Sequence, residues 1–215
     1  MNAASRESKV ERNVSPLLIV ISAPSGGGKT TLYQQLLATN PDIVRAITCT
    51  TRAPRQGERD GVDYYFLDAA TFQKRMQAGS FLEHATVYGN NYGNLKAEVL
   101  DKLRQGKDVL LSVDVQGVAA IQAKAGEDEM LRRSLVTVFL TPSSLAILEA
   151  RLRKRGTDSD EVIRKRLSVA RKEIARWKHF DYLLISTTVT EDLRRMQVIL
   201  EAEKMRQGRV KAPQI

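Results

Sequence analysis

Leu17-Leu18-Ile19-Val20-Ile21-Ser22-Ala23-Pro24-Ser25-Gly26-Gly27-Gly28-Lys29-Thr30-Thr31 is the stretch whose reading settles the fold class. Residues 17–21 are an unbroken apolar run with β-branched members, the pattern of a strand buried on both faces. Residues 30–38 then carry helical spacing. Between the two, the glycines, Lys29 and Thr30 match the phosphate-loop pattern in the setting it requires, a strand before and a helix after. Glycines let backbone N–H groups converge on a phosphate without Cβ clashes. The start of a helix adds partial positive charge. Lys29 is suited to neutralise β- and γ-phosphates and the Thr30 hydroxyl to ligate Mg²⁺. Ala23, Pro24, Ser25, Gly26, Gly27, Gly28, Lys29, Thr30 and Thr31 are therefore the candidate ATP-binding set. Ala23 stands where the pattern has its first glycine; it is small, so the turn is expected to survive.

Outward from this loop, similar apolar runs recur at 109–113, 135–140 and 182–185. Helical patterns occupy 95–105, 143–154, 159–177 and 190–206. Apolar strands without polar alternation, separated by helices, imply an α/β fold: a parallel sheet flanked by helices, of the kind built around phosphate loops. The stretch 48–93 breaks the rhythm. It holds seven of the eleven Phe and Tyr residues and is punctuated by Pro54, Gly57, Gly61, Gly79, Gly89 and Gly93. Short strands and turns in an inserted subdomain are expected there. Residues 1–15, and the chain from Gln207 on, lack periodicity and read as tails.

Composition limits the function classes. The chain has 215 residues, 42% hydrophobic and 27% charged, which is ordinary for one globular domain. Cys49 is the only cysteine and His84 and His179 the only histidines, so neither a disulfide framework nor a cysteine-rich metal cage is expected. No apolar run approaches the ~20 residues of a membrane span, and the first residues lack a signal-peptide core. A cytoplasmic protein with no membrane partner is expected. The net charge of +9 is concentrated: residues 151–178 hold eleven Lys/Arg against four Asp/Glu. Such a balance suits a polyanion partner, whether nucleic acid, acidic membrane or phosphate, and here it forms one basic segment rather than a basic surface all round.

Residues 48–66, Thr-Cys-Thr-Thr-Arg-Ala-Pro-Arg-Gln-Gly-Glu-Arg-Asp-Gly-Val-Asp-Tyr-Tyr-Phe, place Arg52 and Arg55 three apart around a proline, able to converge on one oxyanion. With this run, Phe81-Leu82-Glu83, Tyr88-Gly89-Asn90-Asn91-Tyr92-Gly93 and Asp114-Val115-Gln116-Gly117 follow in order, and the sequence resembles the guanylate kinases, which phosphorylate GMP. The likeness covers nearly the whole chain, from Leu17 to about Lys204.

The resemblance implies a core at 16–46, 98–140 and 179–208, a GMP-binding subdomain at 47–97, a helical lid at 141–178, and tails at 1–15 and 209–215. It implies that Arg52, Arg55, Tyr64 and Tyr92 hold the GMP phosphate and that Glu83 accepts hydrogen bonds from the guanine N1–H and 2-amino group, which adenine lacks. Thr48 replaces the usual serine near O6, and Asn94 the usual Ser/Thr. Asp114 is implied to lie near GMP and the metal, with Thr30. Arg151, Arg155 and Arg166 match lid arginines that close on the ATP phosphates and, with Lys29, are implied to be catalytic. The substrates implied are ATP with Mg²⁺ and GMP, with dGMP as a further acceptor. Two departures stand out. Ser112 occupies the place of an acid that helps hold the metal, and Ser186 that of an asparagine near adenine. Three rival readings remain: an inactive binding module of the same fold, a phosphate-loop ATPase acting on nucleic acid, and a kinase for another nucleoside monophosphate. Trp177 is expected to end an amphipathic helix and contact the core.

Overall fold

The computed structural model describes residues 14–87, 89–154, 156 and 158–211. Strand β1 (Leu18–Ser22) is buried along its whole length and runs through the glycine loop into helix α1 (Lys29–Thr39). β2 (Ile43–Arg45) returns to the sheet. The inserted subdomain follows: β3 (Thr48–Thr50), β4 (Tyr65–Phe66), α2 (Ala69–Gln77), β5 (Phe81–Val87) and β6 (Asn90–Leu95). The chain re-enters the core through α3 (Lys96–Arg104), β7 (Asp108–Ser112), α4 (Val115–Glu127), α5 (Glu129–Ser134) and β8 (Leu135–Pro142). α6 (Leu145–Lys154) and α7 (Asp160–Ile174) follow, and β9 (Tyr182–Ser186) and α8 (Val189–Lys204) complete the core.

The main sheet has the order β2-β7-β1-β8-β9 and every pairing in it is parallel. Side chains of a strand alternate between faces. Ile19 and Ile21 of β1 therefore pack with Leu32 and Leu36 of α1 and Met196 and Leu200 of α8. Leu18 and Val20 pack on the other face with Val99 and Leu103 of α3 and Val118 and Ile121 of α4. Both faces are covered, which is why the β1 run shows no polar alternation. A fully buried Leu or Ile contributes about 1.5–3 kcal/mol over its exposed state, so the strand carrying the phosphate loop is among the best anchored in the protein.

The subdomain is a separate four-stranded sheet, order β4-β3-β6-β5, with its own small cluster of Cys49, Phe72 and Phe81. The Phe72 and Phe81 rings stack with centroids 4.4 Å apart. Gly93 passes directly beside this pair, and a Cβ there would lie 2.8 Å from the Phe81 ring.

The structure revises two expectations and adds a strand. The helix expected over 159–177 ends at Ile174, and Trp177 opens a separate 3₁₀ turn with its ring 40% exposed. Edge strand β2 is too short, at 3 residues, to give a periodic signal. The chain from Gln207 is not a tail at its start. Gln207–Arg209 is a 3₁₀ turn, Ser15 N–H donates to Arg209 O at 2.8 Å, and Val14 bridges Val210. Arg209 is buried, donates to the carbonyls of Arg133 and Leu135 at 2.9 and 3.0 Å, and pairs with Glu203. Tyr182 Oη also donates to Glu203, at 2.5 Å. Residues 1–13 and 212–215 lie outside the described residues.

Candidate active site

At the phosphate loop, Gly26 and Gly28 take φ values of +87° and +99°, a region that side-chain-bearing residues rarely occupy. Gly27 N–H donates to Pro24 O at 2.8 Å, closing the turn. Ala23 is buried and serves there without a glycine. The Lys29 ammonium donates to Val113 O at 2.8 Å, which aims it across the end of the sheet. Burial lowers the Lys29 pKa, and the carboxylates of Asp114, Glu173 and Glu83 oppose that shift. Residues 23–31 wrap a cavity of about 330 Å³ that Asp114 and Glu173 also line.

A second cavity, about 360 Å³, adjoins the loop between Gly26, Thr31, Arg151, Lys154, Ser186 and Asp192. Arg151 reaches Ser186 Oγ at 3.3 and 3.4 Å, and that hydroxyl donates to Asp192 Oδ2 at 2.7 Å. Ser186 thus links an α6 arginine to the first turn of α8. Of the other lid arginines, Arg166 pairs with Asp158 at 3.1 Å and does not line the loop cavity. Arg155 lies outside the described residues, as does Tyr88.

The third cavity, about 350 Å³, lies between α1, the end of β7 and the subdomain. Thr48, Tyr64, Asn94 and Ser112 line it, together with Tyr33 and Arg45. Thr30 lines both this cavity and the phosphate-loop cavity, so this residue stands at their junction. Behind the wall, Thr48 Oγ1 donates to Asn94 Oδ1 at 3.1 Å and Asn94 Nδ2 donates to Glu83 Oε1 at 2.6 Å. Asn94 is the middle member of this chain. Burial raises the Glu83 pKa, and the Asn94 hydrogen bond opposes the shift.

The Asp-x-Gln-Gly run acquires a structural account. Asp114 caps α4, its Oδ1 accepting from Gln116 N–H at 2.9 Å and Gly117 N–H at 2.7 Å. Gly117 leaves room for the acid beside it, since a Cβ there would sit 3.0 Å from Glu83 Oε2.

Arg52 and Arg55 are joined by Glu58. Arg52 makes a two-pronged pair with it at 2.8 and 2.9 Å, and Arg55 N–H donates to Glu58 Oε2 at 2.7 Å. The Arg52 guanidinium lies 5.4 Å from the Tyr64 ring centre, and the Tyr64 and Tyr92 rings meet edge-on at 6.3 Å. The structure therefore brings Arg52, Tyr64 and Tyr92 together, while Arg55 is exposed at the rim. Sequence reasoning missed Tyr33, Arg45 and Glu173. The one available signal for Glu173 was its place seven residues after Arg166, on the same helical face.

A family model described as guanylate kinase matches residues 15–203. The chain belongs to the guanylate kinase family. A guanylate kinase of Maricaulis maris is 42% identical over 193 residues, spanning 90% of this chain and 86% of its own. One from Sphingopyxis alaskensis is 44% identical over 200 residues, spanning 93% and 88%. The crystal structure of guanylate kinase from Anaplasma phagocytophilum superposes with a TM-score of 0.69 at 33% identity, covering 93% of this chain and 91% of that one. The two cavities meeting at Thr30 are thus set in a guanylate kinase fold.

Proposed function

We propose that this protein transfers the γ-phosphoryl group of ATP to GMP, giving ADP and GDP. The observation that carries the reading is the junction at Thr30. On one side lies the phosphate loop with Lys29, on the other a cavity whose wall leads through Asn94 to a buried carboxylate. Glu83 can accept from the two N–H groups guanine presents and adenine lacks, so a buried acid there favours GMP over AMP. Arg52, Tyr64 and Tyr92, with Arg55 at the rim, hold the GMP phosphate. Nothing in this set requires a ribose 2′-hydroxyl, so dGMP is also an acceptor.

The acceptor is already an anion, so no general base is needed. The protein's task is to bring the GMP oxygen in line with the γ-phosphorus and to stabilise charge on the group in transit. Lys29 does this from the loop, and Arg151, Arg155 and Arg166 do it from the lid. Ser25, Gly26, Gly27 and Gly28 supply backbone N–H groups to the ATP phosphates, Thr31 lines the adjoining nucleotide cavity, and Ser186 lines its far wall. Thr30 and Asp114 offer hard oxygen donors in one cavity. This fits Mg²⁺, which enters with nucleotide phosphates and takes only one or two protein ligands. Bound there, it would neutralise phosphate charge. Lid closure excludes water that would otherwise hydrolyse ATP.

Among the described residues no helix is long and apolar enough to cross a membrane; the use of free nucleotides supports a cytoplasmic location. A coupled assay of ADP formation against GMP, dGMP, AMP, CMP and UMP tests the assignment. Turnover with GMP and dGMP well above the others is expected, and equal turnover with AMP would overturn it.

A further inference from the structure

Among the described residues, Glu173 is the one acid of the basic segment 151–178 that lines the phosphate-loop cavity. It lies in the last turn of α7, and its Oε2 is buried with no hydrogen-bond partner among the described residues. The groups facing it are those of an anion cradle: the Ser25 N–H and the Lys29 ammonium, with the Asp114 carboxylate lining the same cavity. Burial raises the Glu173 pKa, whereas Lys29 and the Ser25 N–H favour its ionised form.

A loop that turns backbone N–H groups and a lysine inward binds anions regardless of their source. We propose that the Glu173 carboxylate is an internal competitor for the β- and γ-phosphates of ATP, so that ATP entry expels it and drives α7 to shift. This rests on the reading of the cavity as the ATP site. Two anions cannot share one buried ammonium without strong repulsion. Expulsion moves more than one side chain. Arg166 stands seven residues earlier on the same face of α7, so a shift of the helix carries it along. Arg166 is held by Asp158 at 3.1 Å. The phosphates would thereby set the lid in motion, and ADP, which lacks one of them, would do so less.

The test is equilibrium binding of ATP and of ADP, each with Mg²⁺ and without GMP, to the whole protein and to Glu173→Gln. The amide keeps the shape and removes the charge. ATP is expected to bind about tenfold more tightly to the variant. ADP affinity should rise in the same direction by a smaller factor, because ADP brings one phosphate fewer to the ammonium that the removed charge faces. Glu173→Ala, which introduces the best helix former, should show the same preference and covers the case in which the amide variant folds poorly. ATP affinity that is unchanged or weaker, or ATP and ADP affinities that shift equally, would overturn the proposal. GMP-dependent turnover of the unaltered protein is read separately, so failure of the assigned reaction would not be mistaken for failure of this mechanism.

Discussion

Glu83 and Asn94, on paired strands of the subdomain, share a 2.6 Å hydrogen bond in which the amide donates to a carboxylate that is only 6% exposed. Burial lifts the Glu83 pKa above the ordinary carboxylate value of 4.5. The ionised form is the one that can accept both guanine N–H groups. KM for GMP should therefore climb as pH falls through the raised value, at a pH where an exposed carboxylate is still charged, while KM for ATP stays level. Stability has the opposite sign. The folded state holds this proton more tightly than the unfolded chain, so the contribution to stability is full on the acid side and declines as pH rises from 4.5 through the raised value. Glu83→Gln should lose GMP binding yet lack that decline. Steady-state kinetics and thermal unfolding across pH 4–8 check both halves.

Gly117→Ala tests the close approach of α4 to the same acid. The added Cβ would sit 3.0 Å from Glu83 Oε2 and 3.0 Å from Val113 Cβ. Overpacking of this kind costs about 1–3 kcal/mol. The displaced carboxylate should raise KM for GMP by about tenfold, since 1.4 kcal/mol is a factor of ten. An equal rise in KM for ATP would show that the helix as a whole had moved.

Arg52→Ala should weaken GMP by about ten- to a hundredfold, the loss of one charge-assisted contact. Arg55→Ala should cost less, because Arg55 is exposed at the rim whereas Arg52 sits against Tyr64. ATP affinity should stay near the unaltered value in both. Kinetics with each substrate varied in turn distinguish the two arginines.

Ser112 is exposed in the cavity that Thr30 also lines. An aspartate at 112 would add a hard oxygen donor on the side of the Thr30 hydroxyl. Ser112→Asp is expected to lower the Mg²⁺ concentration giving half-maximal rate at fixed ATP and GMP. A half-saturating concentration that stays constant or increases would show that this position plays no part in holding the metal.

How much of this was legible in the sequence depended on the source of each constraint. Residues 17–31 were fully legible, because a strand covered on both faces and a glycine turn each leave an unmistakable composition. The Arg52–Tyr64 pocket was legible through its resemblance, but the joining of Arg52 and Arg55 by Glu58 was not, since it depends on loop geometry. Asp114 was read as a site residue, and its capping of α4 emerged only from the fold. Glu173 looked like one more charge on a polar helix. Its burial comes from α7 lying over the loop, a long-range contact that local periodicity does not encode. The 207–210 segment was misread for a similar reason: Arg209 is ordered by Glu203 and by carbonyls of 133 and 135, not by its neighbours.

The Val14–Val210 bridge lies at the start of β1, whereas the phosphate loop follows its other end, about 17 Å away at ~3.3 Å per residue. Residues 14 and 210 are thus neighbours, remote from the chemistry. With residues 1–13 and 212–215 removed, a short linker from Lys211 to Val14 would close the remaining polypeptide into a ring. New termini could then be opened at an exposed turn such as Gly79, giving a permuted enzyme with the same sheet order and an undisturbed phosphate loop.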